Sequence, residues 1–109
     1  MRYRARRDAN DGLISQALTA AGFVVLDYAS NGGVPDRLVV RDLPDATKWI
    51  CWVEIKVEKG KLRPSQERFA AIFEPRQEFY VARDAEETVR ELMERYLACL
   101  LYTSDAADE

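Results

Sequence analysis

The chain has 109 residues, 48% hydrophobic and 32% charged, with a net charge of -3, the make-up of an ordinary globular domain with one core rather than two. It holds two cysteines and no histidine, which excludes serine–histidine and cysteine–histidine catalysis and histidine-ligated zinc or haem, and leaves carboxylates and lysines to do any chemistry. No apolar run approaches the roughly 20 residues that cross a bilayer, and the arginine-rich start lacks the apolar segment of a signal peptide, so a cytoplasmic protein is expected.

From Asn10 to Ala21 the apolar residues Leu13, Ile14, Ala17, Leu18 and Ala21 recur at helical spacing, and Gly22 is placed to stop the helix. Asp8 or Asn10 is placed to cap it, which leaves residues 1–9, with Arg2, Arg4, Arg6 and Arg7, as a basic N-terminal arm. "FVVLDY", 23–28, reads as a first strand, and "SNGGV", 30–34, as a tight turn. "DRLVV", 36–40, is a second strand opened by Pro35, where a proline is tolerated. A third strand, "WICWVEIKV", spans 49–57, and the loop "EKGKLR" leads to a helix over 64–73 with Pro64 at its first position. "EFYVAR", 78–83, is a fourth strand, and Asp84 to Glu87 form a capping box for a last helix with the stripe Val89, Leu92, Met93, Tyr96 and Leu97. The order α-β-β-β-α-β-α predicts an α/β fold: an antiparallel meander, then one parallel crossover, giving a mixed central sheet flanked by helices.

Residues 1–98 read as a single domain. The segment "CLLYTSDAADE" changes character abruptly and resembles translated adapter sequence, so 99–109 are expected to be a non-native or disordered tail with no function. Its last six residues carry three acids and no base, so the chain without them is neutral. That weakens the argument from net charge against a nucleic-acid partner. Cys51 and Cys99 fall in a strand and a helix and read as unpaired thiols.

The third strand contains a puzzle. With a period of two, Ile50, Trp52, Glu54 and Lys56 share one face, and Cys51, Val53, Ile55 and Val57 the other. Two charges in an otherwise apolar central strand need each other, a metal or a phosphate. An ion pair at the open end of the sheet is the simplest account, but Asp36, at the start of the neighbouring second strand eighteen residues earlier, adds a second carboxylate to the same end. Two carboxylates and an ammonium suit metal-assisted phosphodiester hydrolysis, with Mg²⁺ or Mn²⁺ as the compatible hard cation.

Val34-Pro35-Asp36 and Glu54-Ile55-Lys56 resemble the PD-(D/E)XK nuclease superfamily. The wider stretches "NGGVPDRLVV" and "CWVEIKVEKGKLRPSQERF", with "RRDAN" at 6–10, are similar to the small phage-type VRR-NUC nucleases, over roughly residues 6–92. The resemblance implies a restriction-endonuclease-like core and a Mg²⁺-dependent endodeoxyribonuclease, with Mn²⁺ able to substitute. It implies Asp36 and Glu54 as metal ligands, the backbone carbonyl of Ile55 as a third, and Lys56 as the catalytic lysine. It also offers Asp11 as a further acid, where the family often has glutamate, and Gln66 as a residue bordering the site. Asp11 as a helix cap or dipole partner, and Gln66 as a capping-box residue, are the alternatives. Lys59, Lys61 and Arg63, with Arg6 and Arg7, are candidates to meet DNA phosphates, against the alternatives of a solvated loop and a solubilising arm. Trp49 and Trp52 are expected in the core, and Tyr28 and Tyr80 as sheet residues.

The implied partner is branched or junction DNA, cut by a homodimer in the manner of a Holliday-junction resolvase, in a phage or prophage protein of a bacterial cytoplasm. A nicking or replication-associated nuclease, and a non-catalytic DNA-binding or assembly protein on the same fold, are the alternatives.

Overall fold

The computed structural model describes the backbone of residues 2–28, 34–56 and 60–108, and the side chains of 11–28, 34–56 and 60–102. The elements are α1 (Arg2–Ala20), β1 (Val24–Asp27), β2 (Arg37–Asp42), β3 (Lys48–Ile55), α2 (Pro64–Phe73), a short 3₁₀ turn (Glu74–Arg76), β4 (Phe79–Ala82) and α3 (Ala85–Asp108). The strands lie in sequence order, β1-β2-β3-β4. The first three pair antiparallel and β3 pairs parallel with β4 across α2. Element order, the meander and the single crossover are as the sequence predicts.

Two ends differ from the sequence reading. α1 begins at Arg2 rather than near Asn10, so the predicted basic arm is part of the helix. The segment Arg2–Arg7 carries no apolar stripe to flag it, but arginine and alanine are good helix formers. Likewise α3 runs to Asp108, through most of the segment expected to be a non-native or disordered tail. Leu97, assigned to the buried stripe, is exposed instead.

The α1 terminus sets the entry to the sheet. Gly22 has φ of 102°, the Gly22 N–H donates to the Thr19 carbonyl and the Phe23 N–H to that of Leu18, so the helix closes in a Schellman motif with Phe23 and Leu18 both in the core. A Cβ at position 22 would lie 3.0 Å from the Arg41 guanidinium, a second reason for glycine there. At the other helix, the Glu87 N–H donates to the Asp84 carboxylate at 2.8 Å, the expected cap of α3.

Alternation along the strands divides the side chains between two faces. Val39, Cys51, Val53, Ile55 and Ala82 pack against Ile14 and Leu18 of α1 and Leu92 and Tyr96 of α3, and this is the core. Trp49 belongs to it, 5.6 Å from the Phe23 ring and 6.0 Å from that of Tyr96. The opposite face is covered only in part. α2 lays Phe69 and Phe73 on Trp52, at 5.3 and 6.1 Å between rings, while Val24, Leu26 and Tyr28 of the edge strand and its end remain exposed. Among the described residues no helix is long and apolar enough to cross a membrane.

Candidate active site

The ladder between β2 and β3 ends at the pair Arg37–Val53. One step further, the same register sets Asp36 opposite Glu54, on the face that α2 partly covers. Directly opposed residues have Cβ atoms about 5 Å apart, so the two carboxylates named from the sequence are brought together. Both are buried, Asp36 at 5% and Glu54 at 0% exposure.

Pro35, also buried, explains how the ladder stops. Extended once more, the register sets it opposite Ile55, and a proline has no N–H to give. The Ile55 N–H donates instead to the Asp36 carboxylate at 3.1 Å. The Ile55 carbonyl points to the same side of the strand as its N–H, and the ladder offers it no donor. That main-chain oxygen is thereby on the β2 side of the strand, the side on which Asp36 lies. Lys56 follows on the face of Glu54, its backbone held by donation of its N–H to the Ala82 carbonyl at 3.0 Å.

Asp11 is placed differently. It lies in the middle of α1, not at its first turn, so it caps nothing. Its carboxylate forms an ion pair with Arg37 at 2.8 Å. Arg37 belongs to the core-side face of the sheet, where Val53 is its cross-strand partner. The same guanidinium donates to Asp27 at 2.8 Å, to the Ser15 hydroxyl at 3.2 Å and to the Asp36 carbonyl at 2.9 Å. Arg37 therefore ties α1, β1 and the main chain of Asp36 into one unit. Sequence reasoning did not single it out, since its side-chain partners lie 10 to 26 residues upstream, and only its position beside Asp36 could have drawn notice.

Gln66, on α2, is 1% exposed. Its side-chain oxygen accepts the Arg63 N–H at 2.8 Å, which is the capping role, while its amide nitrogen is buried with no hydrogen-bond partner among the described residues. Capping thus uses half of the side chain and leaves a donor over. Lys61 and Arg63 are exposed at the approach to α2. Lys59, and the side chains of Arg6 and Arg7, lie outside the described residues.

Among the described residues no three acidic, cysteine or histidine side chains gather closely enough to hold a metal ion by themselves. Two opposed carboxylates and a ladder-free carbonyl make an oxygen-only set, which suits a hard divalent cation such as Mg²⁺ or Mn²⁺ and no soft one. Both cysteines are free thiols, Cys51 within the core.

No family model matches the chain, and no curated protein matches it in sequence. A solved structure described as a VRR_NUC domain is similar to it, with 30% identity and a TM-score of 0.60, over 83% of this chain and 96% of that one. The likeness spans nearly the whole of that domain, in sequence as well as in fold, and the chain belongs to the VRR_NUC family of nuclease domains.

Proposed function

We propose that this domain hydrolyses DNA phosphodiester bonds as a Mg²⁺-dependent endonuclease, selective for branched DNA and acting as a homodimer. The observation that carries the reading is the end of the β2–β3 ladder, where Asp36 and Glu54 oppose each other beside the Ile55 carbonyl. These three groups would hold the cation. Bound there, Mg²⁺ supplies a Lewis acid that lowers the pKa of a water and balances charge developing at phosphorus.

The chain's own residues do the rest. Asp36 is fixed by the Ile55 N–H and, through its main chain, by Arg37. Lys56 orients the attacking water and compensates the charge on the non-bridging oxygens as the bond from water oxygen to phosphorus forms and that to the leaving sugar oxygen breaks. The buried amide nitrogen of Gln66 is a donor for a phosphate oxygen. Lys61 and Arg63, with Lys59, Arg6 and Arg7, would meet flanking phosphates, which positions the substrate without reading its sequence. Two copies related by a two-fold axis would present two such sites to the two strands of a junction.

A second reading, a non-catalytic DNA-binding protein on the same fold, is favoured by the Asp11–Arg37 ion pair, which engages the third acid elsewhere. One experiment separates the two. The protein is incubated with a four-way junction, a flap and a linear duplex, in Mg²⁺ and in EDTA. Metal-dependent cleavage of the branched substrates, lost in Glu54→Ala, is expected. Binding with no cleavage in either Mg²⁺ or Mn²⁺ would establish the second reading.

A further inference from the structure

Tyr28 lies immediately beside this site and has no part in the chemistry above. Its N–H donates to the Asp36 carbonyl at 3.0 Å, which continues the β1–β2 register one step past Asp27–Arg37. Tyr28, Asp36 and Glu54 therefore form one transverse row across three strands, on one face of the sheet. Adjacent strands are about 4.8 Å apart, so the tyrosine starts one strand spacing from the first carboxylate. A phosphate bound through a cation at Asp36 and Glu54 would have its sugar and base within reach of this ring.

The ring is built to be met from outside. One side packs on Trp52, with 5.5 Å between centroids and 58° between planes. Trp52 is itself held by Phe69 and Phe73 of α2. Tyr28 nevertheless stays 41% exposed. An aromatic ring braced from behind loses little freedom when a flat partner covers its open side, and the partner offered by a nucleic acid is a base. The other exposed apolar residues of this edge, Val24 and Leu26, are aliphatic and lie progressively further from the carboxylates.

We infer that Tyr28 contacts the substrate directly, stacking on the base next to the scissile phosphate. A base inside a continuous duplex must first be unstacked to reach the ring, and a base at a junction or flap is already loosened. Tyr28 is then a specificity residue that favours branched over linear DNA. The inference rests on the nuclease reading for its site, but its test does not require cleavage.

Junction and flap oligonucleotides with non-hydrolysable linkages around the branch carry 2-aminopurine in turn at the nucleotides there, and binding is followed in Mg²⁺, where base stacking quenches the probe. Wild type and Tyr28→Phe are expected to quench it at one position, while Tyr28→Ala and Tyr28→Leu are not. Tyr28→Leu keeps an apolar cover over Trp52 but has no aromatic face, so it separates stacking from mere shielding of the core. In Mg²⁺, Tyr28→Ala should raise KM for the junction about tenfold, leave kcat within about twofold, and narrow the preference over linear duplex. Undiminished quenching and an unchanged KM in Tyr28→Ala would overturn the inference. So would a Tyr28→Phe that behaves like Tyr28→Ala, which assigns the contact to the hydroxyl. If the wild type quenches but cuts nothing in Mg²⁺ or Mn²⁺, the nuclease reading fails and the Tyr28 contact stands.

Discussion

On one face of the sheet, Val39, Cys51, Val53 and Ile55 are sealed beneath α1 and α3; on the other, α2 packs Phe69 and Phe73 on Trp52 of β3, and the row Tyr28, Asp36 and Glu54 lies one same-face step along the strands from Trp52. Strand β3 serves both faces, because alternate residues point opposite ways. Cys51, Val53 and Ile55 anchor it while Trp52, Glu54 and Lys56 look outward. The difference teaches that one strand can hold carboxylates at fixed positions on one face because its alternate residues are locked into the core on the other. If the proposed site is right, the core-side face supplies rigidity and the other face the chemistry, and mutations should separate the two.

The sharpest test of that separation removes a carboxylate. Glu54→Ala or Asp36→Asn is expected to lower the cleavage rate at least about a thousandfold, or about 4 kcal/mol in the barrier, in a single-turnover gel assay, with a native circular dichroism spectrum. Lys56→Ala should lose turnover by about a hundredfold while calorimetric titration with Mn²⁺ still shows binding; cutting at the wild-type rate would remove the lysine from the site.

On the opposite face, Leu18→Ala should cost about 3 kcal/mol of stability by urea denaturation and leave kcat per folded molecule within about twofold. A large fall in kcat would show that the faces are not independent. Arg37→Gln addresses the residue where they meet. It is expected to cost about 2 kcal/mol of stability, from lost charge-assisted hydrogen bonds, and to lower activity about tenfold by releasing the main chain of Asp36. Arg37→Lys should restore only part of either, since an ammonium cannot reproduce the forked contacts.

The smallest effect concerns Cys51. Burial pushes its thiol from 9.0 up to about 12, with Arg95 opposing the shift. The contribution to stability is complete below pH 9. Above it the unfolded chain loses the proton and the folded one keeps it, so stability falls by up to about 1.4 kcal/mol per pH unit between pH 9 and 12. Urea midpoints of the wild type and Cys51→Ala at pH 8 and pH 10 isolate this slope; equal slopes in the two proteins would contradict it.

Local signals carried most of the architecture. Pro64 and Asp84 marked helix starts, Gly22 a helix stop, and the apolar run at 49–57 the central strand. The carboxylate pair was legible because an acid at the head of one strand and E-x-K in the next have few uses in an apolar sheet. Other features were not legible because they depend on distant contacts. Nothing in "RRDANDG" announces that Asp11 will meet Arg37, and a helix without an apolar stripe hides its own beginning. Tyr28 reads as an ordinary sheet residue until register sets it in line with Asp36. For Gln66, capping and site-bordering roles looked like rivals, whereas the capping bond uses the side-chain oxygen and does not by itself engage the amide nitrogen.

The proline opposite Ile55 has a consequence for how this protein tolerates change. An oxygen supplied by the main chain is indifferent to the side chain that carries it, so no substitution at position 55 can delete it. The vulnerability is displaced to position 35, where any residue other than proline restores an N–H and lets the two strands stitch together by one more hydrogen bond. Such a change trades the packing of a buried side chain for one more hydrogen bond, and its effect on that oxygen would be read by activity rather than by a folding assay.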